Sequence, residues 1–169
     1  MRKVISGCQT GVDISALRAA KICGFETGGW APNGWYTNEG NHPEYAKLYG
    51  MKEHPGSGYA GRTEANVRDS DATIQLAVNL TSPGEVCTRR ATAKYRRPCC
   101  QCKLVWNPDD NWPQTVYLDS PDITYVIDFL KNFNTINFAG NSERTAPGIE
   151  AASYELLLDW FGKILSEQT

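Results

Sequence analysis

The chain has 169 residues, of which 41% are hydrophobic and 21% charged, and its formal net charge is −2. A length and composition of this kind are typical of one folded domain, which excludes a disordered, collagen-like or coiled-coil protein. The near-neutral charge excludes the basic surface that a nucleic-acid polymer requires, so an anionic ligand must be bound by a local group of residues.

The first third of the chain is predicted to contain two strands around one helix, followed by a long irregular segment. Lys3–Ser6 predicts a strand, and Val12–Cys23 has apolar residues at helical spacing. Glu26–Trp30 predicts a short second strand. Residues 31–61 are rich in Gly, Pro, Asn and Tyr and show no clear period. A segment of this length in a compact domain is usually a functional loop or lid.

The rest of the chain alternates between predicted helices and strands. Helices are predicted over Thr63–Ser70, Gly84–Arg96, Ser120–Asn132 and Pro147–Leu165, and strands over Ala72–Val78, Lys103–Trp106 and Thr135–Ala139. This alternation predicts an α/β fold, a Rossmann-like, doubly wound, mostly parallel sheet flanked by helices, in a single domain over residues 1–169. In such sheets, ligands bind outside the carboxyl ends of the strands.

The turn after the first strand is the first candidate for ligand binding. Two glycines surround a short polar stretch that leads into a helix, so free N–H groups and the helix dipole would suit a phosphate. The candidate residues are Gly7, Gln9, Thr10, Gly11 and Asp13. A plain glycine turn with Asp13 as helix cap explains the same residues. On the ligand-binding interpretation, a Gly11→Val variant should stay folded and lose its ligand.

Two further segments carry candidate residues. Gly29 follows another glycine, which allows close backbone approach, and Trp30 or Trp35 could stack on a planar ring or pack in the core or an interface. Arg62, Asn66 and Asp69 share one face of a predicted helix, where they would contact a ligand or form a structural ion-pair network. Ser70 and Asp71, just before the next strand, complete this candidate group.

Two more polar segments lie between a predicted strand and a helix, so both can present N–H groups to an anion. Their candidate residues are Ser82, Pro83, Gly84 and Thr88 in one, and Asn141, Ser142, Glu143 and Arg144 in the other. Helix capping alone would explain either segment. Capping explains less well why so many of the segments that follow the strands are polar, since these segments meet at one edge of the sheet.

Four motifs together resemble the molybdenum-cofactor carrier family. They are Ser6–Asp13, Gly28–Gly34, Arg62–Thr73 and Ala139–Ile149, and they cover nearly the whole chain. The resemblance implies a Rossmann-like fold related to the lysine-decarboxylase-like (LOG) nucleotide-processing group. It also implies a homo-oligomer, a dimer or tetramer, with a pocket for a phosphorylated, nucleotide-like ligand such as the molybdenum cofactor.

The chain departs from the family pattern at three places. Cys8 stands where the family usually has glycine, and Arg144 lies two places from the usual arginine. The Thr81–Thr88 segment lacks the Gly-Thr-x-x-Glu pattern that supplies the catalytic glutamate of the phosphoribohydrolase relatives, and no clear replacement is visible. This absence favours a binding protein over an enzyme.

Three functions are consistent with the sequence. The first is a small-molecule-binding protein that carries or sequesters a phosphorylated, nucleotide-like ligand without chemistry. The second is a hydrolase of a nucleotide N-glycosidic bond, which needs a carboxylate near the anomeric carbon. Its candidate catalytic residues are Asp13, Asp69, Asp71 and Glu143. The third is an interaction protein that docks a partner through the aromatic-rich segment 31–59.

The six cysteines do not predict a metal site. Cys99 and Cys102 form one C-x-x-C pair, but no second pair of ligands lies at short spacing, so we expect buried free thiols that lead into a strand. The first residues run from a charged pair into a strand-like stretch without the apolar core of a signal peptide, and no apolar run approaches the roughly 18 residues of a membrane span. We therefore expect a cytoplasmic protein that binds no membrane.

Overall fold

A computed structural model describes residues 1–107 and 115–167 of the predicted single domain; residues 108–114 and 168–169 lie outside this description. The strands are β1 (Lys3–Ser6), β2 (Glu26–Gly28), β3 (Trp30–Ala31), β4 (Tyr36–Thr37), β5 (Gly40–Asn41), β6 (Lys52–Glu53), β7 (Ala72–Ala77), β8 (Cys99–Trp106), β9 (Val116–Ser120) and β10 (Thr135–Gly140). The α-helices are α1 (Val12–Ile22), α2 (Tyr45–Tyr49), α3 (Tyr59–Arg68), α4 (Pro83–Tyr95), α5 (Ile123–Lys131) and α6 (Ile149–Ser166).

The main sheet has six strands in the order β2-β1-β10-β7-β8-β9. All neighbours are parallel except β8 and β9, which are antiparallel. If β10 is counted as the first strand, this order is the 3-2-1-4-5-6 order of a Rossmann fold. The strand that would begin a Rossmann fold, together with its helix α6, therefore comes at the end of the described chain. The predicted Rossmann-like α/β fold is confirmed.

The prediction differs from the structure most between residues 99 and 123. Strand β8 begins at Cys99, four residues earlier than predicted, so Cys100 and Cys102 lie buried within it with their Sγ atoms 3.8 Å apart. Strand β9 was not predicted, because most of its side chains are partly or fully exposed at the sheet edge and give no core pattern. Helix α5 begins after Asp122, whose carboxylate accepts a hydrogen bond from the Thr124 N–H at 2.8 Å.

The two faces of the sheet bury different kinds of side chain. On the face toward α1, α5 and α6 the central strands bury Ile74, Leu76, Ile136 and Phe138. On the opposite face, toward α3 and α4, they bury Thr73, Gln75 and Asn137, and the Gln75 amide donates to the main-chain oxygen of Glu85 in α4. The interior on the α3–α4 side is therefore polar. None of the helices in the described residues combines the length and hydrophobicity needed to cross a bilayer.

The long segment predicted over residues 31–61 has its own small core. Strands β3 and β6 pair in parallel, and β4 and β5 form a hairpin. The buried side chains of Ala31, Tyr49 and Met51 pack with those of Ile14 and Leu17 in α1. Part of the segment thus packs against α1. The hairpin of residues 36–41 is called here the β4–β5 hairpin.

Candidate ligand-binding site

A cavity lies at the carboxyl ends of β10 and β7, where the chain leaves the two strands toward opposite faces of the sheet. Helix α6 follows β10 and packs on α1, whereas α4 follows β7 and packs on α3. A cavity at this point is the usual ligand site of a doubly wound sheet. Its volume is about 520 Å³, within the roughly 300–1,000 Å³ of small-molecule sites.

The structure brings part of the predicted site residues together around this cavity. Among them, the cavity is lined by Gln9, Asp13, Arg62, Ser82, Pro83, Gly84, Thr88, Ser142 and Arg144. The lining residues that the sequence did not single out as ligand contacts are Asn38, Tyr59, Ala60, Thr63, Glu85, Cys87, Ala139, Gly140 and Thr145. The predicted edge of the sheet is therefore the one that carries the cavity.

A buried ion pair lines one side of the cavity. Arg62 of α3 and Asp13 of α1 are 9% and 4% exposed, and the Arg62 Nη1 and Asp13 Oδ2 atoms are 3.2 Å apart. Burial raises the pKa of the Asp13 carboxyl, and the Arg62 guanidinium opposes this rise. The guanidinium lies directly against Gly7, where no β-carbon intervenes. Gly7 thus leaves the space that the Arg62 guanidinium occupies beside the cavity.

Glu85, in the first turn of α4, is the main cavity residue that sequence reasoning missed. Its side chain is buried, and the Ser82 hydroxyl donates a hydrogen bond to its carboxylate. Burial raises the pKa of Glu85, and the nearby Asp13 carboxylate raises it further. The Ser-x-x-Glu spacing is that of a helix capping box, which is a structural signal. The pattern therefore gave no reason to expect a cavity residue.

Two groups of the kind that bind anions, a main-chain N–H at the start of α4 and the side chain of Arg144, line the cavity. Gly84 is the second residue of the helix, so its N–H has no acceptor within the helix. The space beside its α-carbon is open, since a β-carbon built there would meet no atom within 4 Å. Arg144 is exposed at the cavity rim and forms no ion pair within the described residues. An anion in the cavity would meet the α4 dipole and this free guanidinium.

The turn before α1 differs from the prediction of an anion site. The N–H groups of Gln9 and Thr10 donate to side chains of the same turn, at 3.3 Å to Asp13 and 2.9 Å to the Gln9 amide oxygen. The Gly11 N–H donates to the Glu150 carboxylate at 3.0 Å. Since these amides are already bonded within the chain, the turn shapes the cavity without offering them to a ligand.

Gly11 has a structural role that the sequence did not indicate. Its φ is +92°, and a β-carbon at this position would lie 2.4 Å from the main-chain oxygen of Asn141. This backbone contact opposes the expectation that Gly11→Val would leave the protein folded. A larger residue here would force apart the loops after β1 and β10.

Gly29, Trp30 and Asn66 lie away from the cavity. The Asn66 amide bonds both main-chain groups of Trp30, with distances of 2.8 and 3.1 Å. Gly29 and Trp30 line a separate, smaller cavity of about 230 Å³. The Trp30 indole N–H donates to Asp69 at 2.7 Å, so the predicted stacking of Trp30 on the cavity ligand does not fit this geometry.

Three other predicted residues cap backbone groups elsewhere. Ser70 and Asp71 precede β7 and so lie at the amino end of the sheet, where the Asp71 carboxylate accepts from the Thr135 N–H at 2.8 Å. Glu143 accepts from the N–H groups of Gly148 and Glu150 at the start of α6. Of the proposed catalytic carboxylates Asp13, Asp69, Asp71 and Glu143, only Asp13 lines the cavity.

Two connections hold the loops around the cavity. The Asn141 amide bonds the main-chain N–H and C=O of Asn79 at 2.9 and 3.0 Å, which ties the loop after β10 to the loop after β7. The Asn38 N–H in the β4–β5 hairpin donates to the Gln9 amide oxygen at 2.8 Å. From the 31–61 segment, Asn38, Tyr59 and Ala60 reach the cavity.

Fold and site together define a Rossmann-like protein with a permuted strand order and a small-molecule cavity at its topological switch point. The circularly permutated YpsA SLOG family (cpYpsA) matches residues 4–161, and the chain belongs to this family. A crystal structure of a proposed molybdenum carrier protein from Syntrophus aciditrophicus SB is similar, with a TM-score of 0.76 and 30% identity, over 95% of this chain and 94% of that one. No curated protein sequence matches the chain.

Proposed function

We propose that the protein binds a phosphorylated, nucleotide-like small molecule in the cavity and carries or sequesters it. The observation that carries the proposal is that one cavity is lined both by Gly84, whose N–H has no acceptor within α4, and by Arg144, which forms no ion pair within the described residues. These groups would bind the phosphate. The buried carboxylates of Asp13 and Glu85 would accept hydrogen bonds from sugar hydroxyls or ring N–H groups on the remainder of the ligand.

A molybdenum cofactor is one ligand of this class, and the name of the Syntrophus protein supports considering it. The chemistry of the cavity fits its phosphorylated organic part. Within residues 1–107 and 115–167, no group of three or more His, Cys, Asp or Glu side chains is arranged to hold a metal ion. Such a cargo would therefore be bound by its phosphate and ring system, with the metal not ligated by a cluster of this chain.

The proposal can be tested with two variants at one position. Gly84→Pro removes the N–H at the start of α4, while Gly84→Ala keeps it and places a methyl group in open space. A hydrogen bond to a charged group contributes about 1.5–3 kcal/mol, so Gly84→Pro should weaken binding of a nucleoside 5′-monophosphate about tenfold or more. Gly84→Ala keeps the N–H and adds only a methyl group at the cavity wall, so it should bind more tightly than Gly84→Pro and no more tightly than the wild type. Titration calorimetry with AMP, GMP, CMP and UMP measures both.

The native ligand can be sought directly. Mass spectrometry of the small molecules released when the purified protein is denatured should reveal a phosphorylated, ring-containing compound. If no phosphorylated compound is released and none of the four monophosphates binds, the proposal fails.

A second function, hydrolysis of a nucleotide N-glycosidic bond, is favoured by Glu85. Its buried carboxyl group has a raised pKa and lies in the same cavity as Asp13 and Arg62, which suits a general acid or base. Free base released from a nucleoside monophosphate by the wild type, but not by Glu85→Gln, would establish this activity. If the wild type binds the nucleotide and releases no base, the hydrolase function is excluded and the binding function stands.

We further propose a cytoplasmic homo-oligomer, as the carrier-family resemblance implies. The side chains of Ile22 and Leu48 are exposed, and the Lys21 side chain bonds the main-chain oxygen of Leu48, which joins α1 to α2. Light scattering coupled to size exclusion would give the subunit number. A Leu48→Asp variant should then lower it if the exposed Leu48 side chain lies in the contact.

A further inference from the structure

A second concave surface lies directly beside the ligand cavity. This α3–α4 groove has a volume of about 510 Å³ and is lined by Glu64, Thr81, Pro83, Val86, Cys87, Arg90, Ala91 and Lys94. Pro83 and Cys87 line both the groove and the cavity. The two concave surfaces therefore share a wall formed by these two residues of α4.

The groove carries a positive charge that has no ion-pair partner among residues 1–107 and 115–167. Lys94 is paired with Glu64 at 2.5 Å, but Arg90 is exposed and forms no ion pair within the described part of the chain. After Glu85, helix α4 has only basic charged residues, although the whole chain has a net charge of −2. Basic residues near a helix C-terminus also complement the helix dipole. Arg90, however, lies in the middle of α4 and lines the groove.

Cys87 shows that the charges of the cavity and the groove meet at the shared wall. Burial raises the pKa of its half-buried thiol, and the Arg62 guanidinium opposes this rise; on the groove side the Glu64 carboxylate raises the pKa and the Arg90 guanidinium lowers it. Arg62 lines the cavity and Arg90 lines the groove. A ligand lying across Cys87 would thus have a cationic side chain on each side.

We propose that the ligand has two separated anionic groups, as a linear dinucleotide does, and that its second phosphate binds in the α3–α4 groove at Arg90. This proposal rests on the proposed function, because the first phosphate is placed at Gly84 and Arg144 in the cavity. The intervening sugar would cross the wall formed by Pro83 and Cys87. A mononucleotide would fill the cavity alone and leave Arg90 exposed.

The test compares ligands with one and two nucleotide units on the same protein. The probes are AMP, GMP, CMP and UMP, and the linear dinucleotides pApA, pGpG, pCpC and pUpU. Arg90→Ala removes the groove charge, and Arg2→Ala removes the same charge from an exposed residue at the amino end of β1, far from the cavity. Both residues are exposed, so both variants should fold.

The wild type should bind one dinucleotide more tightly than the corresponding monophosphate. Arg90→Ala should weaken dinucleotide binding about three- to tenfold, as expected for the loss of one ionic contact, and leave monophosphate binding unchanged. Arg2→Ala should change neither. If a monophosphate binds and the dinucleotide binds no better, or if Arg90→Ala weakens both equally, the second subsite is refuted and the proposed function stands. If no probe binds, both proposals fail.

Discussion

The guanidinium group of Arg62 occupies the space that a β-carbon would take at residue 7. A β-carbon built on Gly7 would lie 1.8 Å from Nη1 and 2.2 Å from Cζ of Arg62. Because Arg62 is buried and paired with Asp13, it cannot move aside without breaking that pair. A glycine in the first turn thus determines the position of a charge in the cavity.

Gly7→Ala should therefore displace Arg62 and lower both stability and affinity. Overpacking of a buried site typically costs about 1–3 kcal/mol, and a loss of this size should appear in the free energy of unfolding measured in urea. Gly162→Ala in α6 is the control, since its added methyl group meets no atom within 4 Å and a helical Gly→Ala change gains up to about 1 kcal/mol. An unchanged unfolding free energy in Gly7→Ala would show that Arg62 can adopt another position without a loss of stability.

Gly11→Val should unfold the protein rather than remove only its ligand. The backbone contact with Asn141 and the φ of +92° both oppose a β-branched side chain. We expect a loss of more than about 3 kcal/mol in unfolding free energy, beyond the cost of a strained backbone alone. Circular dichroism during a urea titration gives this value. A variant with wild-type stability would contradict the observed loop contact.

Glu85→Gln should change the pH dependence of stability. The folded protein holds the Glu85 proton more tightly than the unfolded chain, because burial raises the pKa above its usual 4.5. As the pH rises above 4.5, the wild type must lose unfolding free energy until the folded-state carboxyl is itself ionised. The Glu85→Gln variant has no such loss of unfolding free energy, and its glutamine side chain still accepts the hydrogen bond from the Ser82 hydroxyl.

The unfolding free energies of wild type and Glu85→Gln should accordingly be similar at pH 4 and diverge in favour of the variant toward pH 7. Urea titrations at several pH values measure the difference. Asp122→Asn, at the exposed cap of α5, tests whether a carboxylate outside the cavity behaves in the same way. A pH-independent difference for Glu85→Gln would mean that the carboxyl does not titrate abnormally.

The β4–β5 hairpin should be the part of the 31–61 segment that responds to ligand. It reaches the cavity through Asn38, whose N–H donates to the Gln9 side chain and whose side-chain amide donates to the Thr10 hydroxyl at 3.4 Å. Tyr49 and Met51 instead lie in the small core against α1. A bound nucleotide should slow amide exchange in residues 36–41 and leave α2 unchanged. Equal exchange in the hairpin with and without nucleotide would exclude it as a lid.

Sequence patterns predicted the class of fold and the edge of the sheet that carries the cavity. Arg62, a candidate on the face of a predicted helix, lines the cavity. The polar segments that follow β7 and β10 predicted that Ser82 and Arg144 would lie near each other, and the structure places both at this cavity. Their common physical basis is that parallel strands end at the same edge.

Other site residues could not be found in this way. Asp71 and Glu143 have the same residue type as a catalytic carboxylate, but a sequence does not show whether such a group faces a cavity or caps a backbone amide. Glu85, by contrast, lines the cavity and was not predicted to, because its spacing from Ser82 matches an ordinary helix cap. The placement of β10 between β1 and β7 depends on contacts between residues far apart in the chain, which local patterns do not encode.

The central position of β10 also affects how the chain can fold during synthesis. Strands β1 and β7 are not hydrogen-bonded to each other, and both pair with β10, which the ribosome makes after them. Domains usually begin to fold from the part made first. Here the two earlier halves of the sheet have no common partner until Thr135–Gly140 has been made, so their inner edges stay unpaired while the chain grows. Unpaired strand edges are sites of aggregation, so nascent chains that stall before residue 135 should depend most on chaperones.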